Sequence, residues 1–245
     1  MKTAYPILWC LIFFGLVLAC NNGSENTSNS KSKKTKTKAE NKDKIPEVII
    51  PAGGQNDVDV SHIVTLSQET LEDYLRKYER NNPESLVEVE TRFGNFKIQL
   101  FANERLHRLN FIRLTKLGYF DDTFFHRVDS GFVVQGGNSD KPSTQKLRHK
   151  IGKYLIPNEY NPLHKNKYGY VGMAKPLSQK VSNASSAFEF YIVVKKDGAH
   201  HLDKEFTVFG RVIEGMDVVE KISNVETDAS EWPLQNIQMD VEVIK

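Results

Sequence analysis

The chain has 245 residues, with 33 Lys and Arg against 31 Asp and Glu, a formal charge of +2 and 39% hydrophobic residues. That length and composition allow one sizeable core, while the near-neutral charge, with no basic stripe interleaved with aromatics, gives nucleic-acid binding no support. Two cysteines, Cys10 and Cys20, are too few for a disulfide framework or a cysteine metal site.

Residues 1–20 read as a targeting segment: Lys2 is a positive start, 7–18 is a short apolar run, and Val17-Leu18-Ala19-Cys20 closes it. The run is too short to span a bilayer comfortably. Its ending resembles a bacterial lipobox, which implies cleavage before a lipid-bearing Cys20. The chain would then be anchored to a membrane of the bacterial cell envelope, outside the cytoplasm. Residues 21–62 read as a disordered tether, since 21–44 carries seven lysines, three acids and no aromatic residue, too little apolar surface to offset ordering. Residues 63–85 form a helical extension. Leu66, Leu71, Tyr74, Leu75 and Tyr78 recur at helical spacing over 67–80, Thr65 or Ser67 can cap it, and Asn81-Asn82-Pro83 stops it.

Residues 86–245 form the main domain. Alternation over 87–101 predicts two strands with Gly94-Asn95 as the turn signal, and 102–116 predicts a helix with Gly118 at its C-cap. Next comes FFHRVDSGFVVQGG (124–137), whose alternation puts Phe125, Arg127 and Asp129 on one face, while Gly136-Gly137 permits a turn or a close approach. Residues 140–163 are polar, contain three prolines and read as a long loop without a helix. Strands over 169–174, 188–195, 206–212 and 237–244, with a helix over 216–223, complete a mainly β set that suits one closed barrel.

FHRVDSGFVVQGG, GYVGMAK (169–175), EFYIVV (189–194) and HLDKEFTVFGRVIEGMDVVEKI (201–222) together resemble, in order, the cyclophilins, a family of peptidyl-prolyl cis-trans isomerases. The resemblance covers roughly 86–245. It implies an eight-stranded β-barrel capped by two helices, a monomer with no cofactor and no metal, and substrates that are proline-containing peptides and unfolded or newly exported proteins. Carried over by position, Arg127, Phe132 and Gln135 are the implied catalytic residues. Val133, Ala174, Lys175, Glu189, Tyr191, His201, Leu202 and Phe206 are the implied substrate-binding residues.

The chemistry needs neither nucleophile nor metal. Amide resonance sets a barrier of about 18–20 kcal/mol, and a donor that favours the twisted amide, whose prolyl nitrogen regains a lone pair, lowers it. An always-charged arginine suits that task. Gln135 is expected to hold Arg127 or a substrate carbonyl, and the main chain at Ala174-Lys175 to pair with the peptide. The pattern departs from the family at Glu189 for Gln, Phe188 for a small residue, His201 for Trp, Phe206 for His, and Asp129-Ser130 for an apolar residue and Pro. Glu189 is placed to pair with Arg127 and restrain it. The alternatives are a catalytically weak peptide-binding or chaperone module on the same fold, and a metal site at His200-His201 with His164 or His149. Adjacent histidines on a strand point apart, which argues against the latter. No G-x-S-x-G elbow supports a hydrolase.

Overall fold

The computed structural model describes residues 59–176 and 182–244. The targeting segment, Cys20 and nearly all of the tether lie outside them. Nine strands form one antiparallel sheet: β1 (Leu86–Thr91), β2 (Gly94–Leu100), β3 (Phe124–Asp129), β4 (Val133–Asn138), β5 (Tyr170–Met173), β6 (Phe190–Val193), β7 (Val208–Glu214), β8 (Ile237–Gln238) and β9 (Asp240–Val243). Their spatial order is β8-β3-β4-β6-β5-β7-β2-β1-β9. The last two are halves of one run split at Met239: Ile237 lies opposite Phe125, and Val241 opposite Val89. One run thus binds both ends of the sheet and nearly closes it, leaving no long free edge. Counted as one strand, it gives the expected eight-stranded barrel.

Alternation explains the core. Val87, Val89, Phe96, Ile98 and Leu100 are buried on one face of the first hairpin, whose turn is Arg92-Phe93; Gly94 and Asn95 already belong to β2. Four α-helices accompany the sheet among the described residues: α1 (Leu71–Tyr78), α2 (Arg105–Lys116), α3 (Pro142–Ile151) and α4 (Met216–Ser223). None is long and apolar enough to cross a membrane. α2 drives Phe111 into the barrel, where its ring lies 4.6 Å from Phe120, 5.4 Å from Phe190 and 5.5 Å from Phe209. A phenylalanine buried so fully is worth about 1.5–3 kcal/mol. Gly118, at φ 64°, ends the helix in the left-handed conformation its position predicts.

The extension docks on the barrel, and Val60, at the end of the expected tether, already packs on the core. α1 begins later than expected because Leu66–Ser67 pairs in parallel with Gly152–Lys153. Neither Thr65 nor Ser67 caps it; the Ser67 hydroxyl donates to Glu69 at 2.5 Å, and Thr70 holds the N-cap position. α1 buries Leu71 and Leu75, and Glu79 beyond its end accepts from Arg108 of α2 at 2.5 Å.

α3 corrects the expectation of a structureless loop over 140–163. Pro142 occupies the first turn, where its missing N–H costs nothing, and Thr144, Leu147 and Ile151 are buried at helical spacing.

Candidate active site

β3 and β4 pair with two irregularities. Phe124 faces Asn138 and Phe125 faces Gly136, skipping Gly137; Arg127 then faces Gln135, which makes His126 an extra residue on β3. The second bulge reverses the alternation. Phe125 and Val128 point into the barrel core, while Arg127 stands half-buried among residues lining an outer groove. Phe125 and Arg127 therefore do not share a face, contrary to expectation. Asp129 does stand beside Arg127, accepting from its Nη2 at 3.0 Å. Gly137, at φ 93°, makes the close approach its sequence suggests: a Cβ there would lie 2.2 Å from the Phe188 carbonyl oxygen.

From Gln135 the cross-strand row runs to Tyr191 and Gly172. A Cβ on Gly172 would stand 2.3 Å from the Tyr191 hydroxyl, so the ring overlies that strand only because glycine is there. The hydroxyl donates to Asn166 Oδ1 at 2.7 Å, and burial pushes its pKa well up, so it stays neutral. Val133, Ala174, Tyr191, Val193 and Ala199 form an apolar cluster separate from the barrel core, with Phe132, Leu202 and Phe206 packed on it. Phe206 meets Tyr191 edge-on at 5.8 Å, and Phe132 stacks on His201 at 5.3 Å.

This cluster floors a groove of about 980 Å³. Of the expected site residues within the described segments, all but His201 line it: Arg127, Phe132, Val133, Gln135, Ala174, Lys175, Glu189, Tyr191, Leu202 and Phe206. His201 is exposed and reaches the groove only through its stack on Phe132. Lys175 Nζ lies 4.4 Å from the Phe206 ring centroid. Ala174 does not offer a free main chain: its N–H donates to Glu189 O at 2.8 Å, and its carbonyl accepts from Ser186 at 2.7 Å. Lys175 has no such backbone bond among the described residues.

Glu189 does not pair with Arg127. It faces Arg148 Nη2 at 3.0 Å and His126 Nε2 at 3.7 Å, and accepts from Gln135 Nε2 at 3.1 Å. Burial resists its charge, but His126 and Arg148 outweigh that cost and hold its carboxyl below the usual range. A carboxylate only accepts, so Gln135 turns its amide N–H toward Glu189 and its carbonyl oxygen elsewhere, rather than donating to hold Arg127. Arg127 is held instead by Asp129 and by Glu231, which accepts from Nε at 2.6 Å. The histidines weighed as metal ligands do not converge: His164 pairs with Glu104 at 2.8 Å and His200 with Asp203 at 3.0 Å.

Groove or rim residues that the sequence reading does not include are, among others, His126, Arg148 and Trp232 in the lining and Glu231 beside Arg127. Glu189 in an amide's place was the signal for Arg148, because a largely buried carboxylate calls for a cation. For Glu231 there was none, since it lies 104 positions from Arg127.

A nearly closed antiparallel barrel carrying this groove defines a cyclophilin-like β-barrel protein. The chain belongs to the cyclophilin family: the profile described as "Cyclophilin type peptidyl-prolyl cis-trans isomerase/CLD" matches residues 86–243. It is 35% identical over 148 residues to a protein of Acinetobacter baylyi named peptidyl-prolyl cis-trans isomerase, covering 58% of this chain and 74% of that one. It is 33% identical over 164 residues to "Peptidyl-prolyl cis-trans isomerase-like 2" of Rhizopus delemar, covering 66% of this chain but only 29% of that one. The chain thus spans less than a third of that relative. A crystal structure of a cyclophilin type peptidyl-prolyl cis-trans isomerase from Cryptosporidium parvum matches with TM-score 0.55 and 25% identity, covering 66% of this chain and 98% of that one. Another structure of that protein was determined in the presence of the dipeptide Ala-Pro.

Proposed function

We propose that this chain catalyses cis–trans isomerisation of X-Pro bonds, with the proline ring seated on Phe132, Val133, Tyr191, Leu202 and Phe206. Arg127 donates to the prolyl nitrogen as the amide twists, a bond stronger in the transition state than in either planar isomer. The observation that carries this reading is the Arg127 guanidinium, which makes no ion pair with Glu189, lining the same open groove as a separate apolar cluster. An isomerisation assay on an Ala-Pro peptide tests it: acceleration over the uncatalysed rate is expected, and its absence would sink the proposal. The catalytically weak peptide-binding module is the second reading, favoured by the two carboxylates on Arg127. Peptide binding without acceleration would select it.

Glu189 then tunes peptide choice. Glu189→Gln leaves Arg148 unbalanced at the groove wall, so peptides with an acidic residue near the proline should gain on cationic ones. A shift of about two- to fivefold, ~0.4–1 kcal/mol, is the scale of a partly solvated charge pair. An unchanged ratio of kcat/KM for the two peptide series would show that the groove does not sense this pair.

The site of action follows from the first twenty residues. Lipidation at Cys20 would supply several acyl chains, enough for stable anchoring where one is marginal. The substrates are then newly exported proteins. Cys20→Ser should move the chain from the membrane fraction to the soluble fraction with isomerase activity intact; a variant still at the membrane would refute the anchor.

A further inference from the structure

Arg127 has five N–H donors in a rigid fork. Nε donates to Glu231 Oε2 at 2.6 Å and Nη2 to Asp129 Oδ2 at 3.0 Å, while Nη1 has no hydrogen bond to the described residues. The guanidinium is thus held along one edge, with Nη1 left unengaged. Asp129 is its near neighbour on the same strand; Glu231 comes from the turn after α4, and that turn is built to deliver it. Asp228 Oδ1 accepts from Ser230 N at 2.8 Å and Trp232 N at 3.0 Å, and Glu231 N donates to Asp228 O at 3.0 Å. Glu231 O accepts from Val128 N at 2.8 Å, fastening the turn to β3 beside Arg127. At its centre Glu231 adopts φ 65°, a left-handed conformation that costs a non-glycine residue energy. A turn knitted around an unfavourable backbone angle, with its carboxylate on the groove's arginine, is more than an incidental surface ion pair.

We propose that Glu231 is a positioning residue for Arg127: it fixes the guanidinium so that the Nη1 edge is presented to the twisting amide. This deepens the isomerase reading and rests on it. An arginine with a free side chain would still bind peptide but would have to be ordered in the transition state. Loss of the clamp therefore falls on kcat and not on KM.

The test compares Glu231→Ala and Glu231→Gln with wild type in the full chain. Glu231→Ala should lower kcat about tenfold with KM unchanged, and Glu231→Gln, which keeps an acceptor oxygen, should recover most of the rate. In proton–nitrogen NMR, the Arg127 Nε–H should exchange slowly with water in wild type and Glu231→Gln, and fast in Glu231→Ala. A faster kcat in both variants would mean the carboxylate restrains the arginine, and would overturn the proposal. So would an unchanged kcat, or a loss equal in Ala and Gln that tracks a lowered melting temperature. If wild type protects the Nε–H yet accelerates no X-Pro bond, the isomerase reading fails while the clamp itself stands; fast Nε–H exchange in wild type overturns the clamp whatever the activity.

Discussion

Arg127→Ala is expected to lower kcat/KM for X-Pro isomerisation by about tenfold or more, ~1.4 kcal/mol of transition-state stabilisation, while barely moving the melting temperature. Both halves follow from where the side chain sits. Arg127 is a third exposed, outside the barrel core, and its partners Asp129 and Glu231 are 31% and 42% exposed. Water can solvate those carboxylates once the arginine is gone, so the fold loses about 0–1 kcal/mol. The twisted amide has no such substitute, because the groove floor beneath it is apolar. Peptide affinity should survive, since Phe132, Tyr191 and their neighbours are untouched. A variant that keeps more than half the wild-type rate would remove Arg127 from the mechanism.

Glu159→Ala is expected to have the largest effect on stability among the groups described, about 3 kcal/mol. Helix α2 begins without a side-chain cap of its own. Glu159, some fifty residues later, takes that role: its carboxylate accepts from Leu106 N and His107 N at 3.0 Å each, and from His107 Nδ1 at 2.6 Å. His107 is fully buried, and its other nitrogen meets Ser185 Oγ at 2.9 Å, so removing Glu159 strands one ring nitrogen and two helix N–H groups. A lost cap costs about 1 kcal/mol and a buried charge-assisted bond about 1.5–3 more, which for a domain of this size lowers Tm by about 6–12 °C. Burial disfavours the Glu159 charge, but the His107 ring and the two backbone donors outweigh it and hold the carboxyl below its ordinary value. A carboxyl whose folded pKa is depressed contributes stability above its unfolded pKa, and that contribution is lost as pH falls through the folded value. The Tm gap between wild type and Glu159→Gln should therefore be largest near neutrality and narrow progressively as pH falls below the ordinary glutamate pKa of about 4.3. An equal gap at pH 7 and pH 3 would show that the charge contributes nothing.

The parts of the site that could be read in the sequence were those carried by side-chain identity in a short stretch. Arg127, Phe132 and Gln135 stand within nine residues, and their spacing needs only a strand and a turn to bring them together. Face assignment was less secure. The extra residue at His126 flips the alternation, and a bulge leaves no mark in the pattern of apolar and polar residues, because Phe125 and Val128 are apolar whichever strand geometry holds. α3 is hidden in the sequence for another reason: the segment is polar and carries three prolines, yet Pro142 stands in a first turn, where proline is a start, and only three of the ten helical positions are buried.

Local spacing determined the two strands of the first hairpin and helix α2 with its glycine stop, since each depends on neighbours within a few residues, while the arginine of the signature strand was singled out by the resemblance to the family. Partner choice among charges belonged to the tertiary structure. Glu189 was expected beside Arg127 because the two lie near each other in the family pattern; folding instead placed Arg148 of α3 against Glu189, and Glu231 and Asp129 against Arg127. Ion pairing depends on ångström distances between chain segments up to a hundred residues apart, and no periodicity in a sequence encodes those distances.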